Sequence, residues 1–441
     1  MKAIFESQIT IKRFLYYVTP SVIMMFFIAL YSIVDGAFVS NWVGSDALAA
    51  IGIMYPPTGL MFGFAIMMAT GSSAIVAIKL GEDRRQEAKE KFTLITIAAA
   101  VIGLLFTVVG IVFLDNLVLA LGATDRIYDY CMTYGLFMMI AIPFIFVGSI
   151  FEFFIRVDGR PGFTLILYVS GGVINIVLDY ILIVVLKIGI IGAGIATLVG
   201  LAVVALLGFW YFIFGKPGLK FTVPKFDGKF IWGSLVNGFP EMVTESSVGV
   251  TAILINLIIL RLAGEDGVAA LAVVMYIHYL MVSAYLGYIA GISPLISFYY
   301  GAKDYLVNKQ IMKYSKTFIL TSSAVVFLAA ELLAPFIIQA FLEPSSHAYM
   351  MALKGLRIMA VCFLFIGVNI FASGLFTAYA KGNISTVISI SRGLVFVLIG
   401  AVVFPSLFGI NGIWMILPFA EIITLLLSVY VLKKYRFKYN Y

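Results

Sequence analysis

Ionisable residues are scarce in this 441-residue chain: Asp, Glu, Lys and Arg together make up 12% of it, about half the share of a soluble domain. That shortage excludes soluble enzyme folds. Only two Cys (Cys131, Cys362) and two His (His278, His347) occur. Both Cys lie in apolar stretches far apart, so no disulfide framework is expected. With so few His beside them, a resident metal or a nucleophile constellation is not expected either. The short alternating segments of a membrane β-barrel are also missing. In their place stand apolar residues, 63% of the chain, with a mean hydropathy of +1.09. Runs such as 92–114 and 165–186 are long enough to cross ~30 Å of hydrocarbon as helices. The fold class is therefore an all-α polytopic membrane protein.

Runs of about twenty apolar residues separated by polar breaks place spans at 14–39, 48–78, 92–114, 130–155, 163–186, 190–214, 234–260, 267–298, 317–342, 356–379, 384–405 and 411–432. Lys2, Lys12 and Arg13 precede the first run without a small-residue cleavage site, so that run is expected to be retained as a span. With the N-terminus in the cytoplasm, 23 of the 29 Lys and Arg fall on the cytoplasmic side and five on the other, while Arg392 lies within a span. Such a bias orients both termini inward. It also explains the net charge of +7 without nucleic acid. The run 81–91, GEDRRQEAKEK, reads as a cytoplasmic charged loop.

Slid along itself by 220 residues, the sequence matches at Pro20/Pro240, Gly44/Gly264, Gly71/Gly291, Gly81/Gly301, Gly135/Gly355, Gly162/Gly382, Gly189/Gly409 and Gly192/Gly412, among others. Gly falls on Gly seven times, where chance gives about two. Low-complexity matching would favour Leu and Ile instead, so the chain reads as a duplication. Six spans per copy keep both copies in one orientation. The expected architecture is two pseudo-symmetric six-helix bundles, an N-lobe over 1–214 and a C-lobe over 234–441, joined by a linker at 215–233. Two such bundles around a central cavity suit alternating access.

An ionised side chain near the bilayer centre costs ~3 kcal/mol or more, so acids inside spans are functional candidates. At 1.5 Å per residue, Asp35 lies roughly 7 Å, Asp179 roughly 11 Å and Thr197 roughly 10 Å from the outer ends of spans 1, 5 and 6. Asn175 shares a helix face with Asp179, one turn away. Two carboxylates, an amide oxygen and a hydroxyl suit Na⁺ or a shared proton. Their repeat partners include the apolar Ile255 and Ile399, so the fold does not need acids there. Glu245 is deep enough in span 7 to meet a cationic solute, whereas Glu241 reads as a solvated mouth residue. Arg392 and Glu421, at similar depth, read as a structural ion pair. Glu152 and Arg156, spaced i, i+4 with the acid first, read as a second.

The strings SIVDGAFVS (32–40), RVDGRPG (156–162), NIVLDYILI (175–183) and IGIIGAGIATLVG (188–200), together with the duplication, resemble the multidrug and toxic compound extrusion (MATE) transporters, nearest their MepA-like and DinF-like branches. The resemblance covers the whole chain. It implies a twelve-helix inner-membrane antiporter exporting amphipathic organic cations in exchange for H⁺ or Na⁺. Carried over by position, the cation-coupling site is Asp35, Asn175, Asp179 and Thr197, and Pro20 matches a first-helix proline that accompanies bending in some members. Some relatives pair an acid in helix 7 with an Asp in helix 10. Helix 10 here offers Asn369 and Ser373 instead, so no C-lobe sodium site is expected. The expected partners are small cationic or amphipathic solutes and the lipid bilayer, with no nucleic acid and a monomeric chain. A lipid-linked precursor flippase would want cationic residues in the cavity, and a membrane enzyme would want a nucleophile or metal cluster.

Overall fold

Backbone polar groups inside hydrocarbon must be satisfied within the chain itself, and the apolar runs accordingly resolve into helices, with no strand among the described residues. The computed structural model describes residues 9–439; Lys2 of the expected cytoplasmic tail lies outside the described residues. The first bundle contains α1 (Ile11–Phe38), α2 (Ser45–Gly81), α3 (Arg85–Val112), the short α4 (Leu114–Ala120), α5 (Asp125–Val157), α6 (Pro161–Asp179) and α7 (Ile190–Phe214). The second contains α8 (Gly228–Gly301), α9 (Tyr305–Gln339), α10 (His347–Ala360), α11 (Phe363–Ala378), α12 (Gly382–Ile390), α13 (Phe396–Phe408) and α14 (Ile410–Tyr439). Wider π-helical turns extend α1 at Val39–Val43 and α6 at Tyr180–Val185, and join α12 to α13 at Ser391–Val395.

The seventh and eighth expected spans are one continuous run, α8, of 74 residues, interrupted at Gly264 (φ 60°, ψ −152°). At 1.5 Å per residue that run would be about 110 Å long if straight, several times the bilayer core, so Gly264 is where it turns. Gly44, its repeat partner, separates α1 from α2 with φ 118°, and Gly189 and Gly409 make the same kind of turn at φ 67° and 57°. Only glycine visits such angles without strain, which accounts for several of the Gly-on-Gly matches. The tenth expected span, 356–379, starts earlier, at His347, and bends by 50° between α10 and α11. Lys354 and Arg357 interrupt the apolar run there and hid that first stretch from the hydropathy pattern. With α8 counted as two spans, and α10–α11 and α12–α13 as one each, the described residues hold twelve candidate spans.

The two bundles meet at the face where α1 begins and α14 ends, hereafter the near face. A Cβ at Gly71 would stand 1.9 Å from the Ser234 carbonyl, at Gly81 2.0 Å from that of Phe298, and at Gly291 2.6 Å from that of Tyr17. Backbone therefore touches backbone where α2 and α1 cross α8. Toward the far face Gly36, Gly52, Gly59 and Gly249 meet nothing within 4 Å. No such close backbone approach occurs at these far-face glycines.

Residues 215–227 join the bundles without helix and are pinned to the first one. Phe221 stacks on Phe92 with ring centroids 5.1 Å apart. The Asp158 carboxylate accepts from Tyr211 Oη (2.6 Å) and from the backbone N–H groups of Gly218 (2.8 Å) and Leu219 (2.9 Å). Burial pushes that carboxyl above the usual carboxylate range, against the pull of its donors. Asp227 pairs with Lys91 of α3 and caps α8 by accepting from Phe230 N at 3.0 Å.

Candidate functional site

Two glycines bring α6 and α7 together. A Cβ on Gly171 would lie 2.7 Å from the Gly200 carbonyl, and one on Gly200 3.0 Å from that of Gly171. Close contact at this level sets Asn175, one turn beyond Gly171, beside Thr197, almost one turn before Gly200. Both residues line a cavity of about 20 Å³ with Tyr31, Tyr168 and Leu201, room for one water-sized particle. Asp179, 0% exposed, stands one turn beyond Asn175, where α6 widens into its π-helical turn. Asp35 comes from α1, half-buried, with its carboxyl close enough to that of Asp179 to interact.

The four residues thus converge from three helices, and their oxygens share one property. Asp35 Oδ1, Asn175 Oδ1, both Asp179 carboxylate oxygens and Thr197 Oγ1 are buried without a hydrogen-bond partner in the protein. A buried polar atom left unpaired costs about 1–3 kcal/mol, and nearly all such atoms find partners in native structures. Five such oxygens in one place form a candidate coordination set, oxygen-only and doubly acidic, of a chemistry that suits a hard monovalent cation or protons shared between carboxylates.

Aromatic residues surround the cluster. Tyr31 lies one turn before Asp35 on α1, and Tyr134 lies beside Thr197. The i, i+4 rule could have found Tyr31; nothing local marks Tyr134. Tyr168 joins the cavity to the first ion pair. Its hydroxyl donates to Glu152 Oε2, while Glu152 Oε1 accepts from Arg156 Nη2 at 2.7 Å. Arg156 is 0% exposed. Helix α1 runs unbroken through Pro20, whose missing N–H leaves the Tyr16 carbonyl without its usual helical partner.

The second bundle organises its polar residues differently. Arg392 Nε lies 2.7 Å from Glu421 Oε1, and Asn369 Nδ2 donates to Glu421 Oε2 at 2.7 Å. Ser373 is within 2.7 Å of Ser385 Oγ and 2.8 Å of Ser389 Oγ, and Thr377 Oγ1 donates to Ser385 Oγ at 3.0 Å. Glu241 is half-buried and accepts a long contact of 3.5 Å from Thr377, so it is tied into this network and is not the freely solvated mouth residue expected. Glu245 is half-buried on α8, within electrostatic reach of Tyr55 on α2, Tyr279 on the second half of α8 and Glu152.

Comparison with known proteins places this arrangement among relatives. The MatE family profile matches residues 20–181 and again 240–403, once per bundle. The chain is 24% identical over 437 residues to "Multidrug export protein MepA" of Staphylococcus haemolyticus (strain JCSC1435), covering 98% of this chain and 95% of that protein. It is 22% identical over 440 residues to the protein of the same name from Staphylococcus aureus (strain NCTC 8325 / PS 47), with 97% and 95% covered. Its fold is similar to that of a multidrug resistance MATE family transporter of the MOP superfamily in an outward-facing conformation, at TM-score 0.89 and 22% identity, with 96% of each chain covered. A MOP superfamily transporter from Pyrococcus furiosus is as similar in fold, at TM-score 0.89 and 21% identity, with 96% and 95% covered.

Proposed function

The chain belongs to the MatE family, and on that premise we propose that it is a cation-coupled antiporter that exports amphipathic organic cations by alternating access. The observation that carries the proposal is the cluster of five buried oxygens on Asp35, Asn175, Asp179 and Thr197 that no donor of the protein satisfies; alternating access further requires a cavity between the lobes that opens to the far face in this state. The names of the two staphylococcal relatives, both multidrug export proteins, support drug-like organic solutes as cargo. The charge bias supports a near face in the cytoplasm, with both termini there; the chain works as a monomer in the cytoplasmic membrane in this reading.

In this reading the N-lobe (1–214) and C-lobe (234–441) rock against each other about the connection at 215–233. Glu245, with Tyr55 and Tyr279 near it, forms the acidic, aromatic side of that cavity, which meets a lipophilic cation. The coupling ion, a proton or Na⁺, enters from the far face and binds the oxygen cluster. A ligand shifts a conformational equilibrium only by its differential affinity for the two states, so the ion must favour the state that holds the drug weakly. Loading then releases the drug outward. No resident cofactor is needed, because the ion gradient supplies the driving force.

Purified protein in liposomes, given a lipophilic cation and either a proton or a sodium gradient alone, tests the reading. Export should follow one of the two gradients and stop when it is collapsed. Export that ignores both gradients, or follows ATP, contradicts it.

A further inference from the structure

On the far face, away from the oxygen cluster, α10 and the start of α14 enclose a cleft of about 660 Å³ lined by His347, Met350, Lys354, Arg357, Asn411 and Trp414 among others, within the size range of a ligand pocket. Positions 347, 350, 354 and 357 recur every three or four residues and so form one stripe of α10. The charge distribution makes this stripe unusual. Only five of the 29 Lys and Arg lie on the far side, and two of them stand here within one turn. Neither Lys354 nor Arg357 has an ion pair or a side-chain hydrogen bond among the described residues. Asp266 faces His347 at 3.5 Å, and no Asp or Glu is among the residues that line the cleft.

Two further features point the same way. Trp414 lines the cleft while 0% exposed, and its buried indole N–H has no hydrogen-bond partner; an indole can only donate. The 30-residue α14 starts at Ile410 in the cleft wall and contributes the positive end of its dipole. Met350, Met351, Leu353, Ile358 and Ile410 supply an apolar wall beside these donors. The cleft therefore offers cations, hydrogen-bond donors and hydrocarbon, and lacks carboxylates.

We propose that this cleft binds the phosphate-bearing headgroup of an anionic amphiphile, with Lys354 and Arg357 on the phosphate and the acyl chain along Met350, Ile358 and Ile410. The site is independent of the transport reading above, because none of its residues faces the oxygen cluster or Glu245.

Native mass spectrometry of the full chain, titrated separately with phosphatidylglycerol and phosphatidylcholine, tests the proposal. The wild type should retain one phosphatidylglycerol at least about tenfold more tightly than phosphatidylcholine, the order expected for charge-assisted contacts to phosphate. The exposed pair Lys354→Gln with Arg357→Gln should lose that one equivalent at unchanged helix content, and Arg357→Lys should keep most of it. If millimolar inorganic phosphate displaces the lipid, the headgroup phosphate alone is the ligand; if it does not, the site reads headgroup and chain together. Equal retention of the two lipids by the wild type, or unchanged phosphatidylglycerol retention in a folded double variant, overturns the proposal.

Discussion

The two bundles descend from one repeat, yet they settle the same buried volume in opposite ways. By the 220-residue register, Asp35, Asn175, Asp179 and Thr197 of the first bundle correspond to Ile255, Val395, Ile399 and Leu417 of the second. Gly172 and Leu201, which line the small cavity at the oxygen cluster, correspond to Arg392 and Glu421. Where the first bundle keeps space and unpaired oxygens, the second holds a guanidinium with its carboxylate at 2.7 Å and an amide on the other oxygen. The second bundle thus carries its own cation, covalently attached. A satisfied network of this kind is rigid, whereas a partnerless acceptor set gains stability from whatever ion enters it. On the proposed reading, this asymmetry between pseudo-equivalent sites puts ion loading in one lobe.

The strongest way to break this contrast is to neutralise the acids of the first bundle. Asp35→Asn and Asp179→Asn should each reduce gradient-driven export in proteoliposomes to the protein-free background, while expression and helix content stay at wild-type levels. Wild-type transport in either variant would mean that the cluster carries no coupling.

Breaking the second bundle's pair should instead damage stability. Arg392→Met leaves Glu421 buried without its cation, a loss of about 3–5 kcal/mol, read as a lowered thermal midpoint in detergent. Adding Glu421→Leu should restore most of it, because an apolar pair of similar volume replaces a buried ion pair at little cost. Export per folded molecule should retain its ion dependence. Lost coupling at unchanged stability would assign the C-lobe an ion role.

Glu245→Gln should weaken lipophilic cations by about tenfold, the order of one charge-assisted contact, and leave neutral substrates within about twofold. Binding titrations with a matched cationic and neutral pair measure the difference.

The smallest effect concerns the connection between the lobes. Lys91 beside Asp227 holds that carboxyl below the usual carboxylate range, so its contribution is present above the unfolded value near 4 and is lost as pH falls through the lowered folded value. The Asp227 side chain is 36% exposed, which limits the pair to about 0.2–1 kcal/mol. Thermal midpoints of wild type and Asp227→Asn should differ slightly at pH 6 and converge under strong acid. A gap that persists there would come from the helix cap alone.

Depth arithmetic along three helices was enough to group Asp35, Asp179 and Thr197, because a straight span converts residue number into height almost linearly. Hydropathy likewise located the crossings. It failed at 347–355, where Lys354 and Arg357 made a helical turn look like loop, and at Gly264, where one backbone angle decides whether two spans stay joined. The same two cations line the far-face cleft, so a polar interruption that blurred the helix boundary also marks a feature of the surface. Tyr134 and the Gly171–Gly200 contact were illegible for a different reason: they depend on how helices far apart in sequence face one another, and periodicity within one helix carries no such information.

The central claim is that the oxygen cluster binds the ion whose loading expels the drug. Its most direct test is the affinity of purified protein for a lipophilic cation, measured while the proton or the sodium concentration is raised. In the wild type one of the two ions should weaken drug binding progressively, and Asp179→Asn should flatten that dependence; for sodium, Asn175→Ala and Thr197→Ala should flatten it too. A dependence that persists unchanged in Asp179→Asn would place the coupling site elsewhere and contradict the account.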